Sequence, residues 1–232
     1  MPGPIRQLVL PFPVNQRCVF DNFQVGRNNE LIGRLRQLPG EPGFGGLFLW
    51  GTAGAGVSHL LQAACQHYAE QGRQIAYLPF AQLGQDPDNL EGMDGYDLVA
   101  VDDVQAWAAE PACEIALVGL YQNLLARGRQ LLVGGAAPVA ESGFELADLV
   151  SRLASLSAYE VQPLNDAGKA ELLRRLAGER GLTLGDAVLN FWLARSERAV
   201  DVLLAQLDAV DDAAMSAQRT VTIPLLKSVL DL

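Results

Sequence analysis

Leu47-Phe48-Leu49-Trp50 runs directly into Gly51-Thr52-Ala53-Gly54-Ala55-Gly56-Val57-Ser58, and a helical pattern follows with Leu60, Leu61, Ala64 and Tyr68 on one face. A short apolar strand, a glycine-rich turn and an amphipathic helix form the context of a phosphate-binding loop. The glycines let backbone N–H groups turn inward around phosphate oxygens, and the helix N-terminus adds partial positive charge. Ser58 stands where such loops place the hydroxyl that ligates Mg2+. The pattern asks for lysine at position 57, and this chain has Val57. That lysine neutralises the β- and γ-phosphates, so without it triphosphate binding and phosphoryl transfer should both weaken. The plain alternative is a tight strand-to-helix turn with no ligand.

Working outward, Gln74-Ile75-Ala76-Tyr77-Leu78-Pro79, Leu98-Val99-Ala100-Val101, Gln130-Leu131-Leu132-Val133 and Tyr159-Glu160-Val161 continue the strand series, with a helical repeat from Ile115 to Leu125. Continuous apolar strands separated by helices predict a five-stranded parallel sheet covered on both faces. Asp102 and Asp103 close the third strand, where a first carboxylate would hold Mg2+ through water and a second would position an attacking water. A solvated strand end is the bland reading of the pair. After Pro163 the pattern turns wholly helical. Asn165 or Asp166 caps a helix through Leu176 that closes near Gly181, Asp186 opens another, a third runs from about Arg198, and Thr222 precedes a last one. The expected organisation is an N-terminal tail over 1–17, an α/β domain over 18–162 and a small helical domain over 163–232.

Composition narrows the function. The chain has 232 residues, 50% apolar and 19% charged, which is ordinary globular usage and excludes disorder throughout. Its formal charge of −10 argues against a broad face for DNA, because phosphate contacts need clustered Lys and Arg. No apolar run approaches the roughly 18–20 residues that span a bilayer. Met1 to Pro13 holds one basic residue, Arg6, and reads as neither a signal nor a transit peptide, so the expected compartment is the cytoplasm. Cys18, Cys65 and Cys113 are odd in number and far apart, and the histidines are His59 and His67 alone. Reduced thiols are expected, with no structural metal.

Three stretches together carry a resemblance. Phe20-Asp21-Asn22-Phe23-x-Val25-Gly26, the glycine-rich loop running into Ser58-His59-Leu60-Leu61-Gln62-Ala63, and Val101-Asp102-Asp103-Val104-Gln105 resemble the AAA+ domain of the bacterial replication initiator DnaA. In length and ends the chain resembles the Hda family of DnaA homologues, which inactivate the initiator. The resemblance implies a P-loop AAA+ sheet followed by a helical lid. It also implies a nucleotide site over Gly51, Thr52, Ala53, Gly54, Ala55, Gly56, Val57, Ser58, His59, Asp102, Asp103 and Arg198. ADP or another nucleoside diphosphate is the implied ligand, with Mg2+ through Ser58 and Asp102 only when it binds. Gln7-Leu8-Val9-Leu10-Pro11-Phe12 resembles the peptide by which bacterial proteins bind the sliding clamp, the β subunit of DNA polymerase III. In that reading Leu10 and Phe12 fill an apolar pocket, the Gln7 amide makes directed hydrogen bonds, and Pro11 keeps the segment extended. An arm packed on the body is the alternative. Arg152, in Val150-Ser151-Arg152-Leu153, falls where the family carries its arginine finger, and would reach ATP on a partner such as DnaA. Asp148 is spaced to pair with it along a helix.

The chain also departs from that family. Val133-Gly134-Gly135-Ala136 lacks the polar residue expected to contact the γ-phosphate. In Ser196-Glu197-Arg198-Ala199-Val200-Asp201, either Asp201 or Arg198 stands at the phosphate-facing position of the lid, and the sequence leaves both open. The expected activity is that of an adaptor which binds the clamp and stimulates DnaA to hydrolyse ATP, with its own hydrolysis weak or absent. Two rivals are an active P-loop ATPase of the helicase-loader or clamp-loader type, and a DnaA-related DNA-binding regulator. A homo-oligomer is compatible with the resemblance.

Overall fold

A computed structural model describes residues 12–197, 199–214 and 221–230. The strands are β1 (Gly45–Trp50), β2 (Ile75–Pro79), β3 (Leu98–Asp102), β4 (Gln130–Gly135) and β5 (Ser157–Glu160). The helices are α1 (Asn29–Gln37), α2 (Val57–Glu70), α3 (Phe80–Leu83), α4 (Pro111–Arg127), α5 (Ala147–Ala154), α6 (Asp166–Glu179), α7 (Asp186–Arg195), α8 (Val200–Ala214) and α9 (Ile223–Leu230). The strands pair in the order β2-β3-β4-β1-β5, parallel throughout. This is the P-loop AAA+ arrangement expected from the sequence.

Every residue of β3 and β4 is buried. Side chains alternate across a pleated strand, so both faces must be covered, and that is why these strands read as unbroken apolar runs. The core on β3 and β4 gathers Val99, Val101, Leu131 and Val133 with Trp107, Leu117, Leu120, Leu149 and Leu153. Trp107 stacks on Phe80 at 3.8 Å and donates its indole N–H to Gly84 O at 2.7 Å, which settles the one polar atom of a fully buried ring. β5 lies at the edge and is largely exposed, and it begins at Ser157, two residues before the expected Tyr159. Sequence reasoning passed over α1, whose Leu31, Ile32 and Leu35 are buried around an internal Gly33.

The described residues form two compact units, residues 12–52 with 56–162, and Ala53–Ala55 with the helical residues from Pro163 onward. The helical unit has its own core of Leu173, Ala177, Leu189, Trp192, Leu203, Leu207, Val210 and Leu226. Its starts are locally encoded. The Asn165 side chain accepts from Gly168 N at 2.9 Å to cap α6, and Thr222 Oγ1 accepts from Leu225 N at 3.4 Å before α9. Trp192 donates to Gln206 Oε1 at 2.7 Å, tying α7 to α8. α8 begins at Val200, close to the start expected at about Arg198. Among the described residues no helix is long and apolar enough to cross a membrane.

Candidate functional site

Ligands of open parallel sheets sit beyond the carboxyl ends of the strands. There β1 delivers the glycine-rich loop, β3 delivers Asp102 and Asp103, and β4 delivers Gly134 and Gly135. Gly51 N donates to Gly135 O at 3.2 Å, joining the loop's first residue to the end of β4. Gly54 and Gly56 have φ of +75° and +102°, conformations that a side chain opposes, and Gly56 caps α2. The loop therefore has the backbone turn that lets N–H groups face a phosphate.

The two expected departures from a working site prove to be one steric unit. A Cβ on Gly134 would lie 2.6 Å from Leu61 Cδ1, 2.9 Å from Val57 Cγ1 and 3.0 Å from Asp102 Oδ1. Val57 and Leu61 thus occupy the space that a polar side chain from position 134 would need. Neither change stands alone: an apolar branched residue in place of the lysine packs over a residue with no side chain.

Asp102 is 3% exposed and fully engaged. Its Oδ2 accepts the Tyr77 hydroxyl at 2.6 Å, its Oδ1 accepts Asp103 N at 3.0 Å, and the Ser58 hydroxyl also donates to it. Burial lifts the Asp102 carboxyl above the usual carboxylate range, and the Tyr77 and Ser58 hydroxyls pull it partly back. Burial likewise raises Tyr77, with the Asp102 charge adding to it. Gln62 Nε2 donates to the Tyr77 hydroxyl at 3.3 Å, extending the network to α2. Tyr77 was not singled out in the sequence; a phenol in the middle of a buried strand, needing a partner, is the signal that marks it. Asp103 stands at φ +54°, and Gln105 bridges its Oδ1 at 3.3 Å to Ala136 N at 3.2 Å. A non-glycine residue held in that region is characteristic of functional strand ends.

These facts predict a stability effect. A carboxyl whose folded pKa is raised penalises the folded state at pH values above that pKa and not below the unfolded value. Asp102→Asn should therefore be more stable than the parent at pH 8, by about 1 kcal/mol. A chain of this length would show it as a rise in Tm of about 2–4 °C. The gap should shrink as the pH falls toward about 4, the ordinary aspartate range. A lower Tm for the variant at pH 8 would mean that the three hydrogen bonds outweigh the cost of burial.

The other candidate residues fall as follows. His59 Nε2 lies 3.1 Å from Val19 O, and its ring is 5.3 Å from that of Phe23. Thr52, Ala53 and Gly54 are exposed and Ala55 is buried. Ala53–Ala55 cluster with the helical unit, in which a Cβ on Gly54 would sit 3.2 Å from Val200 N and 3.7 Å from Asp201 Oδ1. Arg198 lies outside the described residues, as do Gln7, Leu8, Leu10 and Pro11. Phe12 is half-buried and its N–H donates to Tyr77 O at 3.1 Å. Arg152 sits in the last turn of α5, with 26% of its side chain exposed. Its Nε donates to Asp148 Oδ2 at 3.1 Å, and its guanidinium carbon lies 5.6 Å from the centre of the Tyr121 ring. Cys18, Cys65 and Cys113 are free thiols; burial raises all three, Cys65 to about 12. Cys18 is only half-buried, where a buried thiol was expected.

Residues 166–230 match the family model described as Hda, lid domain. These residues, α6 to α9, are similar to the lid of the Hda family. Across most of the chain the fold is similar to that of DnaA domain III. Domain III of the Thermotoga maritima replication initiation protein DnaA superposes with a TM-score of 0.80 at 19% identity, covering 95% of this chain and 98% of that one. AMPPCP-bound DnaA from Aquifex aeolicus gives a TM-score of 0.70 at 20% identity over 89% of this chain and 70% of the other. Thermotoga maritima RuvB, described as a Holliday junction branch migration motor, gives 0.67 at 14% identity, covering 88% of this chain and 69% of that one. At such identities the likeness establishes the AAA+ fold. Together with the Hda-type lid, it meets the resemblance read from the motifs.

Proposed function

We propose that this chain is an adaptor that docks on the sliding clamp through residues 7–12 and presents Arg152 to ATP held by DnaA. DnaA then hydrolyses its ATP, so the adaptor restrains the initiation of replication. The Hda-type lid over residues 166–230 is the observation that carries this reading. A partly exposed arginine on a helix anchored to the core supports it, as does a phosphate loop that lacks its lysine. Water attacks the γ-phosphorus in DnaA and ADP leaves; the guanidinium fork stabilises charge that builds on the phosphoryl oxygens. The adaptor works in the cytoplasm and makes no sequence-specific contact with DNA.

The adaptor's own loop fits a nucleoside diphosphate through backbone N–H groups, and Ser58 with Asp102 would hold Mg2+ when it binds. No Lys or Arg stands within residues 51–58 to replace the missing lysine for a γ-phosphate. The isolated chain should therefore hydrolyse ATP negligibly. Val57→Lys should tighten ADP binding by about 10- to 100-fold in calorimetry, since a charge-assisted hydrogen bond contributes about 1.5–3 kcal/mol. Robust turnover by the unmodified chain alone would instead support an active P-loop ATPase. The direct test combines ATP-loaded DnaA, clamp on DNA and the adaptor. Hydrolysis should accelerate only when all three are present, and equal acceleration without the clamp would sink the docking half of the proposal.

A further inference from the structure

Glu114 is 1% exposed, in the first turns of α4, and its partners are backbone N–H groups. Oε1 accepts from Ala109 N at 2.9 Å and Glu145 N at 3.1 Å; Oε2 accepts from Glu145 N at 3.1 Å and Leu146 N at 2.7 Å. Leu146 is the residue that caps the start of α5. Seven residues further along the same face of α4, Tyr121 holds the other end of α5: its hydroxyl lies 3.0 Å from Ser155 Oγ, and Ser155 is the C-cap. The Tyr121 ring also carries the Arg152 guanidinium. Ser155 Oγ in turn donates to Arg152 O at 2.6 Å.

A buried carboxylate is a costly way to fill space, and an apolar side chain would pack there without desolvating a charge. What it supplies is direction. Four hydrogen bonds to three N–H groups fix the loop beside Ala109, itself at φ +61°, and the entry to α5 in one arrangement. α5 has eight residues and contributes Leu149 and Leu153 to the core, so its two ends decide where its outward side chains point. We infer that Glu114 and Tyr121 are positioning residues which clamp α5 at both ends and thereby aim Arg152. The inference rests on the reading of Arg152 as the group presented to the partner's ATP. It adds that the aim is set from α4, by groups that never touch nucleotide.

A finger displaced by an ångström can lose about 100-fold in rate while the surfaces still meet. The expected signature is a loss in maximal stimulated hydrolysis without a change in the adaptor concentration needed for half-maximal effect. Glu114→Gln turns an amide N–H2 toward backbone N–H donors and should lower the maximum by about 10- to 100-fold. Tyr121→Phe keeps the ring and loses the hold on Ser155; it is the variant certain to leave the core filled, and a several-fold loss of the maximum is expected. Hydrogen exchange at the Glu145 and Leu146 amides should quicken in Glu114→Gln alone. Leu35→Ala, on α1, serves as a control that destabilises the same unit by truncating a fully buried side chain. The result that overturns the inference is a wild-type maximum in both α4 variants while Arg152→Ala is inactive; the finger would stand and its aiming would not. An equal loss in Leu35→Ala would also overturn it, because stability alone would then account for the effect. If Arg152→Ala itself keeps the wild-type maximum, the finger reading has failed, and the inference falls with it.

Discussion

Arg152→Ala should leave the chain folded and bound to the clamp, yet cut the hydrolysis it stimulates in DnaA by about 1,000- to 100,000-fold, the range that arginine fingers contribute. In the structure Arg152 has two weak attachments, the Asp148 ion pair and the face of Tyr121. Exposed ion pairs of this kind contribute about 0–1 kcal/mol, so removing the side chain costs the fold little. The same weakness means that a phosphate can take the guanidinium from Asp148. Arg152→Lys should fail nearly as badly, because a point charge does not reproduce a planar fork of donors that meets two oxygens at once. The assay is ATP turnover by DnaA with clamp on DNA, with clamp retention measured in parallel. Turnover at the wild-type rate with Arg152→Ala would reduce the residue to a surface arginine and leave the adaptor a tether.

Leu10→Ala/Phe12→Ala should weaken clamp binding by roughly 1,000-fold, since two buried anchors each contribute about 2 kcal/mol or more and a factor of ten is about 1.4 kcal/mol. Gln7→Ala should add to the loss through its directed hydrogen bonds. The body should be unaffected. The link from Phe12 to Tyr77 O uses a main-chain N–H, which alanine retains. Surface plasmon resonance on immobilised clamp, with a thermal melt as the check on folding, reads both. Undiminished affinity in the double variant would move the docking surface elsewhere.

The parallel sheet and the helical unit were legible in the sequence because their signals are local. Buried strands read as unbroken apolar runs, and Asn165 and Thr222 mark helix starts by side chains that cap them. α1 escaped because Leu31, Ile32 and Leu35 make a short pattern around Gly33, in a segment rich in charge. The site was harder for a different reason. Val57 and Gly134 lie far apart along the chain, and that one fills the space above the other appears only when β1 and β4 are side by side. Glu114 shows the same limit: near the start of a helix it reads as an ordinary solvated acid. Only the fold brings it against Glu145 and Leu146. Arg152 could be placed from its motif, but its seat on Tyr121 could not.

The position of β1 between β4 and β5 has a consequence for how the chain is made. Gly45 pairs with Gln130, 85 residues further on, and Leu47 pairs with Ser157, 110 residues further on. No neighbour earlier in synthesis offers β1 a hydrogen-bonding edge. While the ribosome is still adding α4, the strand leading into the phosphate loop is an unpaired apolar segment, and β2 and β3 are the pair already complete. Long-range parallel pairing is slow and leaves such segments open to aggregation. The nascent chain should thus engage a holding chaperone from about residue 60 until residue 160 has emerged, and shed it as β5 closes the sheet.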